Sequence, residues 1–395
     1  MIVQGRDRKR EVALTRDLRR DLRRGHPWVF SDAVALQGVE AGEIVTLVGK
    51  DKRPIGRGYA DPDGPLALRM CTLDAKERVD DAWAERRLAT AIALRQRLFA
   101  NDHSQTTGYR LVNGEGDGLP GLVIDRYDEV LVVKTDGPIA ERFWDVDGLA
   151  PWLVAKTGAR AVYGRSRARG GPEGRALVGD APGVVRFLEA GIPFTADVVQ
   201  GQKTGFFFDQ RENRLRVGGL ARGRRVLNAF GYTGGFSVHA GVGGAAHVTT
   251  LDIAGPAIAA ADANWRGAGL DPDKHVGVTA DAFELLEGSD ERWDLIVLDP
   301  PAFAPSKKAL PQALAAYRRL VAAGCRVASA DAFLVVASCS AHVRALDLQG
   351  AIEEGVGDAK RRATMLHQAS QPPDHPWPLA CPELSYLKAF FLRLD

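Results

Sequence analysis

Short apolar runs alternate with longer amphipathic stretches through the second half of the chain, from about residue 190. The candidate strands are "RRVLNAF" (224–230), "HVTTLDI" (247–253), "HVGVTA" (275–280), "WDLIVLDP" (293–300) and "AFLVVAS" (332–338). Helical segments lie between them, including "AIAAADANWRGAG" and "LPQALAAYRRLVAAGCRVA". Because apolar strands separated by such helices need cover on both faces, the pattern predicts an α/β fold with a mostly parallel sheet.

The first 75 residues have a different pattern, in which short strand-like pieces are separated by polar turn residues. The pieces "GEIVTLVGK", "PIGRGYAD" and "GPLALRMCT" predict a small β-barrel or barrel-like sheet. Residues 80–102 predict an amphipathic helix with most arginines off its apolar face, which comprises Trp83, Leu88, Ile92, Leu94, Leu98 and Phe99. The strands "GLVIDRY" and "EVLVVKT", a helix around 138–157 and a strand near 160–163 predict a small α+β unit. We therefore expect three domains, at 1–75, 76–190 and 191–395.

Composition limits the number of domains and the classes of protein that are compatible with the chain. A chain of 395 residues predicts two or three domains, and 45% hydrophobic with 26% charged residues is ordinary for a globular protein. Apolar runs such as "AFLVVA" are too short to cross a bilayer, and "MIVQGRDRKR" has no apolar segment after its charges, unlike a secretory signal. Four scattered cysteines give neither a disulfide framework nor a CxxC metal site. We expect a cytoplasmic protein with no membrane association and no metal.

Positive charge is concentrated in two segments, although the formal net charge is only +2. Residues 1–30 hold nine Arg or Lys and four Asp or Glu, a local net charge of +5. The second segment is "GRSRARGGPEGR", residues 164–175, which we expect to be a loop of the central unit. Such clusters suit phosphate backbones, but charge alone slightly favours a solvated arginine-rich surface.

The residues after each strand are candidates for chemistry, because a parallel sheet binds its ligand beyond the carboxyl ends of its strands. After the first strand, "NAFGYTGGFSVHAG" places Gly231, Gly234 and Gly235 in a tight turn that leads into a helix. The spacing is not GxGxxG, so a plain dinucleotide site is weakly supported, and a tight turn alone would also explain it. Asp252 ends the second strand, where a carboxylate can bind ribose hydroxyls; this is favoured over a helix N-cap. Asp281, with Phe283 beside it, suits an adenine amino group nearly as well as an N-cap.

Two further strand ends carry the remaining candidates. In "LDPPAFAPSK", Pro300 and Pro301 stiffen the segment that carries Asp299, which suits the edge of a planar base. Cys339, in "VVASCSAHV", would project beside Asp299 if the two strands are neighbours. Most cysteines are packing residues, and we expect that role for Cys71, Cys325 and Cys381, but the strand-end position of Cys339 favours a functional thiol.

A segment before the first strand, "QKTGFFFDQRENR", leaves two questions open. Phe206, Phe207 and Phe208 fit a core role. Gln210 and Arg211, at the entry of a helix, fit contacts to a cofactor or substrate about as well as a structural role.

Taken together, these motifs carry a family resemblance. The segments "HPWVF", "VNGEGDGLPGLVIDRY", "QKTGFFFDQRENR", "NAFGYTGGFSVHA", "LDPPAFAPSK", "SCSAHV" and the closing "HQASQPPDHPWP…CPELSYLKAFFLRL" occur in order over nearly the whole chain. They resemble the bacterial ribosomal RNA large-subunit cytosine-5 methyltransferases that carry an N-terminal PUA domain. The resemblance implies a PUA RNA-binding barrel, a small central α+β domain and a class I, Rossmann-like S-adenosylmethionine methyltransferase domain. It implies large-subunit ribosomal RNA as partner and leaves open whether the protein is a homodimer.

The resemblance also implies roles for individual residues. Cys339 would be the nucleophile, and Asp299 would assist at the target base. Cofactor contacts would come from Phe230, Gly231, Tyr232, Thr233, Gly234, Gly235, Asp252, Ile253, Asp281, Ala282, Phe283 and Asp299, with Gln210 and Arg211 as further candidates. Substrate contacts would come from Pro300, Pro301, Phe303 and Lys307.

The reaction that the resemblance implies needs a sulfur nucleophile. A thiolate that adds to carbon 6 of cytosine makes carbon 5 nucleophilic enough to take a methyl group, and β-elimination later frees the thiol. Many RNA cytosine-5 enzymes have a second cysteine in the Asp-Pro-Pro region, but "DPPAFAPSK" has none, so the base that takes the carbon-5 proton is unassigned. His342 is a nearby candidate partner for Cys339.

Other functions stay open on the residues alone. One is methylation of a guanine or adenine nitrogen, with Cys339 incidental. Another is a non-catalytic RNA-binding factor that keeps the fold. A nicotinamide oxidoreductase is weakly supported, because the glycine spacing is wrong and the basic N-terminal segment would have no role.

Overall fold

The computed structural model describes residues 1–100, 105–165, 174–180 and 183–395. The chain divides into two compact units, which are described separately here. The first comprises Met1–Glu189, Ala196–Phe208 and Pro373–Pro382, and the second comprises Ala190–Thr195, Asp209–Pro372 and Glu383–Asp395.

The first unit begins with a five-stranded sheet. Its elements are β1 (Asp7–Ala13), α1 (Arg19–Arg23), β2 (Trp28–Phe30), β3 (Ile44–Val48), β4 (Pro54–Ala60) and β5 (Leu66–Thr72). The strand order is β1-β3-β4-β5-β2, and β1 is parallel to β3. The sequence pattern predicted β3, β4 and β5 but not β1, because "DRKREVA" has only Val12 buried and reads as a solvated charged segment.

The rest of this unit is a second α+β layer. Its elements are α2 (Asp81–Phe99), β6 (Gly108–Asn113), β7 (Leu122–Tyr127), β8 (Val130–Thr135), α3 (Pro138–Phe143), α4 (Val146–Thr157), β9 (Ala161–Arg165), β10 (Gly174–Val178) and β11 (Val184–Glu189). Strands β6 to β10 form one sheet in the order β10-β9-β8-β7-β6.

Two local expectations for this unit were wrong, and a third is tested only at its ends. The helix expected around 138–157 is two helices. The first ends at Phe143, and Asp145 accepts a hydrogen bond from Gly148 N at 3.0 Å as the N-cap of α4. The ends of the basic segment 164–175, which we expected to be a loop, lie in β9 and β10, and these two strands pair with each other. Its central residues, 166–173, lie outside the described part of the chain.

The apolar face of α2 also differs from the expected one. Trp83 and Leu88 are fully buried, but Leu98 is exposed, and Arg95 lies on the buried face. The Arg95 guanidinium donates to both carboxylate oxygens of Asp117, at 2.5 and 2.9 Å, and to the Asp374 carbonyl at 2.7 Å. Arg95 follows Leu88 by two helical turns, so the helix directs it to the same face, and the paired carboxylate satisfies the buried charge.

The second unit contains the predicted parallel sheet. Its elements begin with β12 (Ile192–Asp197), which crosses the division, and continue with α5 (Arg211–Leu220), β13 (Arg225–Ala229), α6 (Gly235–Val242), β14 (His247–Asp252), α7 (Gly255–Gly267), β15 (His275–Thr279), α8 (Ala282–Gly288), β16 (Trp293–Leu298), α9 (Leu310–Arg326), β17 (Ala328–Ser338), α10 (Ala345–Asp358), β18 (Ala363–Ala369) and β19 (Lys388–Leu394). The sheet order is β15-β14-β13-β16-β17-β19-β18, with β19 antiparallel to both neighbours.

Helices cover both faces of this sheet. On one face, residues such as Leu286, Leu320 and Ile352 of α8, α9 and α10 pack with alternate strand residues in one core. On the other, Val217, Phe236 and Trp265 of α5, α6 and α7 pack with the intervening strand residues. The strands are therefore apolar at consecutive positions, as the sequence pattern predicted. Chain order reverses between β13 and β16, so this edge of the sheet is where a ligand is expected.

Within the described residues, no helix is both long and apolar enough to span a membrane.

Candidate active site

The glycine turn between β13 and α6 is held in an unusual backbone conformation. Phe230 and Tyr232 have φ angles of +60° and +45°, and Gly234 has +79°. The Gly231 amide donates to the Leu251 carbonyl at 2.8 Å, which ties the turn to the end of β14. Non-glycine residues in the left-handed region cost free energy, and such strain is concentrated at functional sites.

Two glycines of the turn are required by packing, and Gly234 is favoured by its positive φ angle as well. A Cβ atom at Gly231 would lie 2.5 Å from Thr250 Cγ2, and one at Gly234 would lie 2.8 Å from Ala261 Cβ. The turn can therefore approach β14 and α7 only because both positions lack a side chain.

The Asp252 carboxylate links the end of β14 to the glycine turn. Its Oδ2 accepts a hydrogen bond from Tyr232 N at 2.9 Å, and its Oδ1 accepts one from Ala254 N, also at 2.9 Å. Ala254 is the residue before α7, so the carboxylate does serve the start of that helix. Asp252 is half-buried, and the next residue, Ile253, is 72% exposed. Binding of a ribose by Asp252 stays a prediction.

Asp281 is the N-cap of α8, the alternative that the sequence left nearly even with adenine binding. Its Oδ1 accepts from Phe283 N at 2.8 Å and from Glu284 N at 3.1 Å. Ala282 is buried and Phe283 is half-buried, with the Arg319 guanidinium 4.8 Å from the ring centroid. Capping uses one carboxylate oxygen, so a ligand contact through the other is compatible with it.

Asp299 and Cys339 follow two strands that are neighbours in the sheet. Strands β16 and β17 are parallel, with Leu298 paired to Val336, so the residues after them project at one edge. Both Asp299 and Cys339 are partly exposed. The sequence pattern predicted that Cys339 would project near Asp299 only if the two strands were neighbours, and they are neighbours.

The Asp-Pro-Pro segment continues along this edge. Pro300 is buried, whereas Pro301 and Lys307 are exposed. Phe303 is half-buried and packs on the Tyr317 ring, with centroids 4.9 Å apart. Lys307 lies at the start of a short 3-10 helix, Lys307–Ala309.

The two serines that flank Cys339 are anchored beneath it. Ser338 and Ser340 are 0% and 1% exposed. The Tyr317 hydroxyl and the Ser340 amide donate to Ser338 Oγ at 2.8 and 3.3 Å, and Ala304 N donates to Ser340 Oγ at 3.4 Å. Because both neighbours point into the protein, Cys339 is the residue of this tripeptide that reaches the open edge.

The pKa of Tyr317 depends on its burial and on the charges of this site. Burial raises the pKa of Tyr317 to about 12, hydrogen bonds with Ser338 and Ser340 oppose this, and the charges of Cys339 and Asp299 add to it. Tyr317 therefore stays protonated at neutral pH, as its role as a donor to Ser338 requires.

Lys388 is a residue of this site that the sequence analysis did not identify. It starts β19 and pairs with Ser338 in the sheet register. It is 6% exposed, and its Nζ donates to the carbonyls of Ser340 and Tyr386 at 2.6 and 2.8 Å. The signal that could have identified it is a lone lysine in the otherwise apolar strand "YLKAFF". His342, the earlier candidate partner for Cys339, is exposed and has no hydrogen bond or ion pair within the described residues.

The other three cysteines are buried, in agreement with a packing role. Burial raises the pKa of Cys325 to about 12 and holds the pKa of Cys71 well above its usual range. Neither thiol would ionise at neutral pH, so neither suits a nucleophile.

The structure answers part of the question about the segment from Phe206 to Arg211. Phe206 and Phe208 are buried in the first unit, with ring centroids 5.6 Å apart. Gln210 and Arg211 are also buried, in the second unit, and Gln210 Oε1 accepts a hydrogen bond from Asn213 Nδ2 at 2.6 Å. A contact of Gln210 or Arg211 with a cofactor stays a prediction.

The basic N-terminal segment is less available for RNA than its composition suggests. Four of its arginines form salt bridges with acidic residues of the same unit: Arg8–Glu40, Arg10–Glu43, Arg16–Asp32 and Arg19–Asp51. By contrast, Arg20, Arg23 and Arg24 are exposed and have no ion pair within the described residues. Arg6 and Lys9 are likewise exposed without an ion pair within the described residues, so three of the five available basic residues lie in α1 or directly after it.

Known proteins resemble this chain over most of its length. A family described as S-adenosylmethionine-dependent methyltransferase matches residues 141–376, and one described as PUA-like domain matches residues 12–73. A protein of Deinococcus radiodurans named ribosomal RNA large subunit methyltransferase is 41% identical over 391 residues, covering 95% of each chain. A Shewanella denitrificans protein named ribosomal RNA large subunit methyltransferase I is 36% identical over 389 residues, covering 95% of this chain and 97% of its own.

Solved structures share the fold. A candidate SAM-dependent methyltransferase from Streptococcus mutans superposes with a TM-score of 0.85 at 23% identity, covering 97% of this chain and 100% of its own. Another candidate methyltransferase, solved in complex with SAH, gives 0.85 at 24% identity, covering 98% of this chain and 99% of its own. At this identity the likeness extends to the fold alone.

The residues at the carboxyl ends of β13 and β14 fit S-adenosylmethionine. Thr233 Oγ1 is buried and has no hydrogen-bond partner within the described residues, so a polar ligand group there would satisfy it. Ile253 offers an exposed apolar surface beside the Asp252 carboxylate, a combination that suits a base and its ribose. With a family match over more than half of its length and a relative 41% identical over nearly all of it, the chain belongs to the S-adenosylmethionine-dependent methyltransferases and carries a PUA-like domain.

Proposed function

We propose that this protein methylates carbon 5 of a cytosine in large-subunit ribosomal RNA, with Cys339 as the nucleophile. The observation that carries the proposal is the position of Cys339, partly exposed at the carboxyl edge beside Asp299 and fixed by two anchored serines. The RNA substrate is suggested by the printed names of the relatives from Deinococcus radiodurans and Shewanella denitrificans.

One group of residues would bind the cofactor, and a second group would act on the substrate. The glycine turn Phe230–Gly235, with Asp252 and Ile253, would hold the cofactor, and Asp281 to Phe283 would contact its adenine. S-adenosylmethionine supplies an electrophilic methyl group on a sulfonium. Gln210 and Arg211 would support the site from the start of α5.

On the substrate side, the Cys339 thiolate adds to carbon 6 of the cytosine, and the ring electrons move to carbon 5. Carbon 5 would form its bond to the methyl carbon as the bond from that carbon to the sulfonium sulfur breaks, with S-adenosylhomocysteine as the leaving group. A base then removes the carbon-5 proton, and the electrons of that C–H bond expel the thiolate from carbon 6. Asp299 would stabilise the ring by hydrogen bonding as its charge changes, and Pro300, Pro301, Phe303 and Lys307 would contact the base and its strand. The base must leave its stack to reach this edge, so an unpaired region of RNA is expected.

We also propose the three-part organisation predicted from the sequence, with 1–75 as an RNA-binding domain, 76–190 as a central domain and 191–395 as the catalytic domain. The proposal rests on the PUA-like match at residues 12–73 and on the parallel sheet that begins with β13. Expression of residues 191–395 alone, followed by thermal unfolding, tests whether that segment folds independently.

The function is tested with large-subunit RNA, labelled cofactor and mass-spectrometric mapping of the methylated position. A label on carbon 5 of cytosine that disappears in Cys339→Ala supports the proposal. RNA containing 5-fluorocytosine adds a second readout, since fluorine cannot leave as a proton and the protein–RNA adduct should persist in the wild type only.

The matched control is Cys325→Ala, which removes a buried thiol from the same unit. Methylation of a guanine or adenine nitrogen, or full turnover by Cys339→Ala, would overturn the cytosine-5 proposal. Absence of S-adenosylmethionine binding by calorimetry would favour a non-catalytic factor.

A further inference from the structure

A buried lysine lies beside the thiol that the mechanism uses. Lys388 pairs with Ser338 across β17 and β19, so its side chain starts one residue away from Cys339 in the sheet register. Its Nζ donates to the Ser340 carbonyl at 2.6 Å, on the other side of Cys339. Lys388 therefore meets both residues that flank the thiol, Ser338 through its backbone register and Ser340 through its ammonium.

Burying an ammonium group costs free energy unless hydrogen bonds and a counter-charge compensate for the lost hydration. The two carbonyls of Ser340 and Tyr386 satisfy hydrogen bonds but carry no full charge. Burial lowers the pKa of Lys388 to about 8, and the charges of Cys339 and Asp347 oppose that decrease. The interaction between Lys388 and Cys339 is thus favourable when one is an ammonium and the other a thiolate.

Three other ionisable groups in this part of the structure are engaged or neutral. Asp347 of α10 is paired with Arg344, whose guanidinium donates to both of its oxygens at 2.8 Å. Tyr317 of α9 is protonated at neutral pH, and the Tyr386 hydroxyl donates to Asp209 at 2.8 Å. Cys339 directly precedes Ser340, whose carbonyl accepts a hydrogen bond from the Lys388 ammonium.

We propose that Lys388 is a positioning residue that holds Cys339 in the thiolate form and fixes the loop that carries it. The ammonium stabilises the anion that attacks carbon 6 and receives it again when the thiolate leaves. The catalytic use of this pair rests on the proposed cytosine-5 function, but the pair itself is a property of the protein without RNA or cofactor.

The first test measures the pH dependence of Cys339 alkylation by iodoacetamide, followed by mass spectrometry of the Cys339 peptide without RNA or cofactor. Because the thiolate is the reactive form, the rate midpoint reports its ionisation. In Lys388→Met we expect the midpoint to rise by about one pH unit, which is about a tenfold slower reaction at neutral pH. Lys388→Arg, which keeps the charge, should restore most of the rate. The control Lys308→Met removes an exposed lysine from the Asp-Pro-Pro loop and should leave the midpoint unchanged.

A second measurement covers the case in which Lys388→Met does not fold. Linkage requires that loss of the thiolate lower the midpoint of Lys388 in return. The ¹³C chemical shift of the Lys388 ε-carbon, titrated in wild type and in Cys339→Ala, should show a lower midpoint in the variant.

Failure of the Lys388–Cys339 pairing and failure of the cytosine-5 function give different experimental results. Equal alkylation midpoints in wild type and a folded Lys388→Met, or equal Lys388 midpoints with and without Cys339, overturn the pairing even if cytosine-5 methylation is established. If the pairing holds and RNA mapping shows a methylated nitrogen, the cytosine-5 function fails and the thiolate pair stands.

Discussion

At the scale of single residues, two carboxylates of the candidate site have structural roles that leave acceptor positions for a ligand. Asp252 ties the glycine turn to the start of α7 through hydrogen bonds to Tyr232 and Ala254. Asp281 caps α8 with one oxygen. The N-cap and ligand-binding roles that the sequence presented as alternatives therefore need not exclude each other, because a carboxylate has several acceptor positions.

We expect Asp252→Asn to weaken S-adenosylmethionine binding by about 10-fold to 100-fold, because a hydrogen bond to a charged group contributes about 1.5–3 kcal/mol. Asparagine keeps the shape but only one of the two acceptor oxygens, so one of the hydrogen bonds from Tyr232 N and Ala254 N is lost and the fold of the variant must be checked. Isothermal calorimetry measures the affinity, and circular dichroism checks the fold. Asp290→Asn, an exposed carboxyl group before β16, is the control. Unchanged affinity in Asp252→Asn would argue against ribose binding there.

Tyr317→Phe tests the anchoring of Ser338. The change leaves the buried Ser338 Oγ without its hydroxyl donor, which should cost about 1–2 kcal/mol and lower the thermal midpoint of the second unit. If this hydrogen bond also fixes the position of Cys339, the time course of Cys339 alkylation in the variant should no longer fit a single rate. A thermal midpoint equal to that of wild type would show that the hydrogen bond contributes nothing measurable.

At the scale of elements, the sequence pattern identified long periodic segments better than local interruptions. The α/β alternation from β13 to β17 followed the predicted strands closely, because strands buried on both faces are apolar at consecutive positions. The break at Asp145 and the charged strand β1 were missed. One depends on a side-chain cap, and the other depends on backbone pairing with β3, which hydrophobic periodicity does not report.

The buried face of α2 gives an element-scale prediction. Arg95→Met should destabilise the first unit by about 3–5 kcal/mol, because it leaves the Asp117 carboxylate, 4% exposed, without its partner. Adding Asp117→Asn should recover part of the loss. Thermal unfolding measures the effect, with the exposed Arg97→Met as a control expected to change stability by less than about 0.5 kcal/mol. Equal midpoints for Arg95→Met and wild type would contradict the assignment of Arg95 to a required ion pair.

At the scale of the whole molecule, charge distribution matters more than net charge. The chain has a formal net charge of only +2, and several N-terminal arginines are neutralised by nearby carboxylates. Arg20, Arg23 and Arg24, at α1, have no ion pair in the part of the chain that the structure describes and can meet phosphates. The sequence could count these charges but could not pair them, because the acidic partners are distant along the chain.

We therefore expect the triple variant R20A/R23A/R24A to bind large-subunit RNA more weakly and with a shallower salt dependence. If each arginine contacts one phosphate, the slope of log affinity against log salt should fall by about two. The control R97A/R222A/R292A removes the same charge from exposed positions elsewhere, and filter binding over a salt series compares the two. Equal slopes for both triples would contradict a role for α1 in RNA contact. The corresponding prediction for residues 165–175 falls mostly outside the described residues.

The sequence by itself determined the class of fold, the glycine turn, the acidic strand ends and the candidacy of Cys339, because each depends on residue type and on periodicity along the chain. Only the tertiary structure decided which of these residues meet. The adjacency of β16 and β17 puts Cys339 and Asp299 at the same edge of the sheet, and the antiparallel return of β19 brings Lys388 to the loop that carries Cys339 from 49 positions further along the chain. Periodicity specifies which face of an element is buried, whereas the pairing of strands specifies neighbours, and the chemistry of a thiol depends on its neighbours.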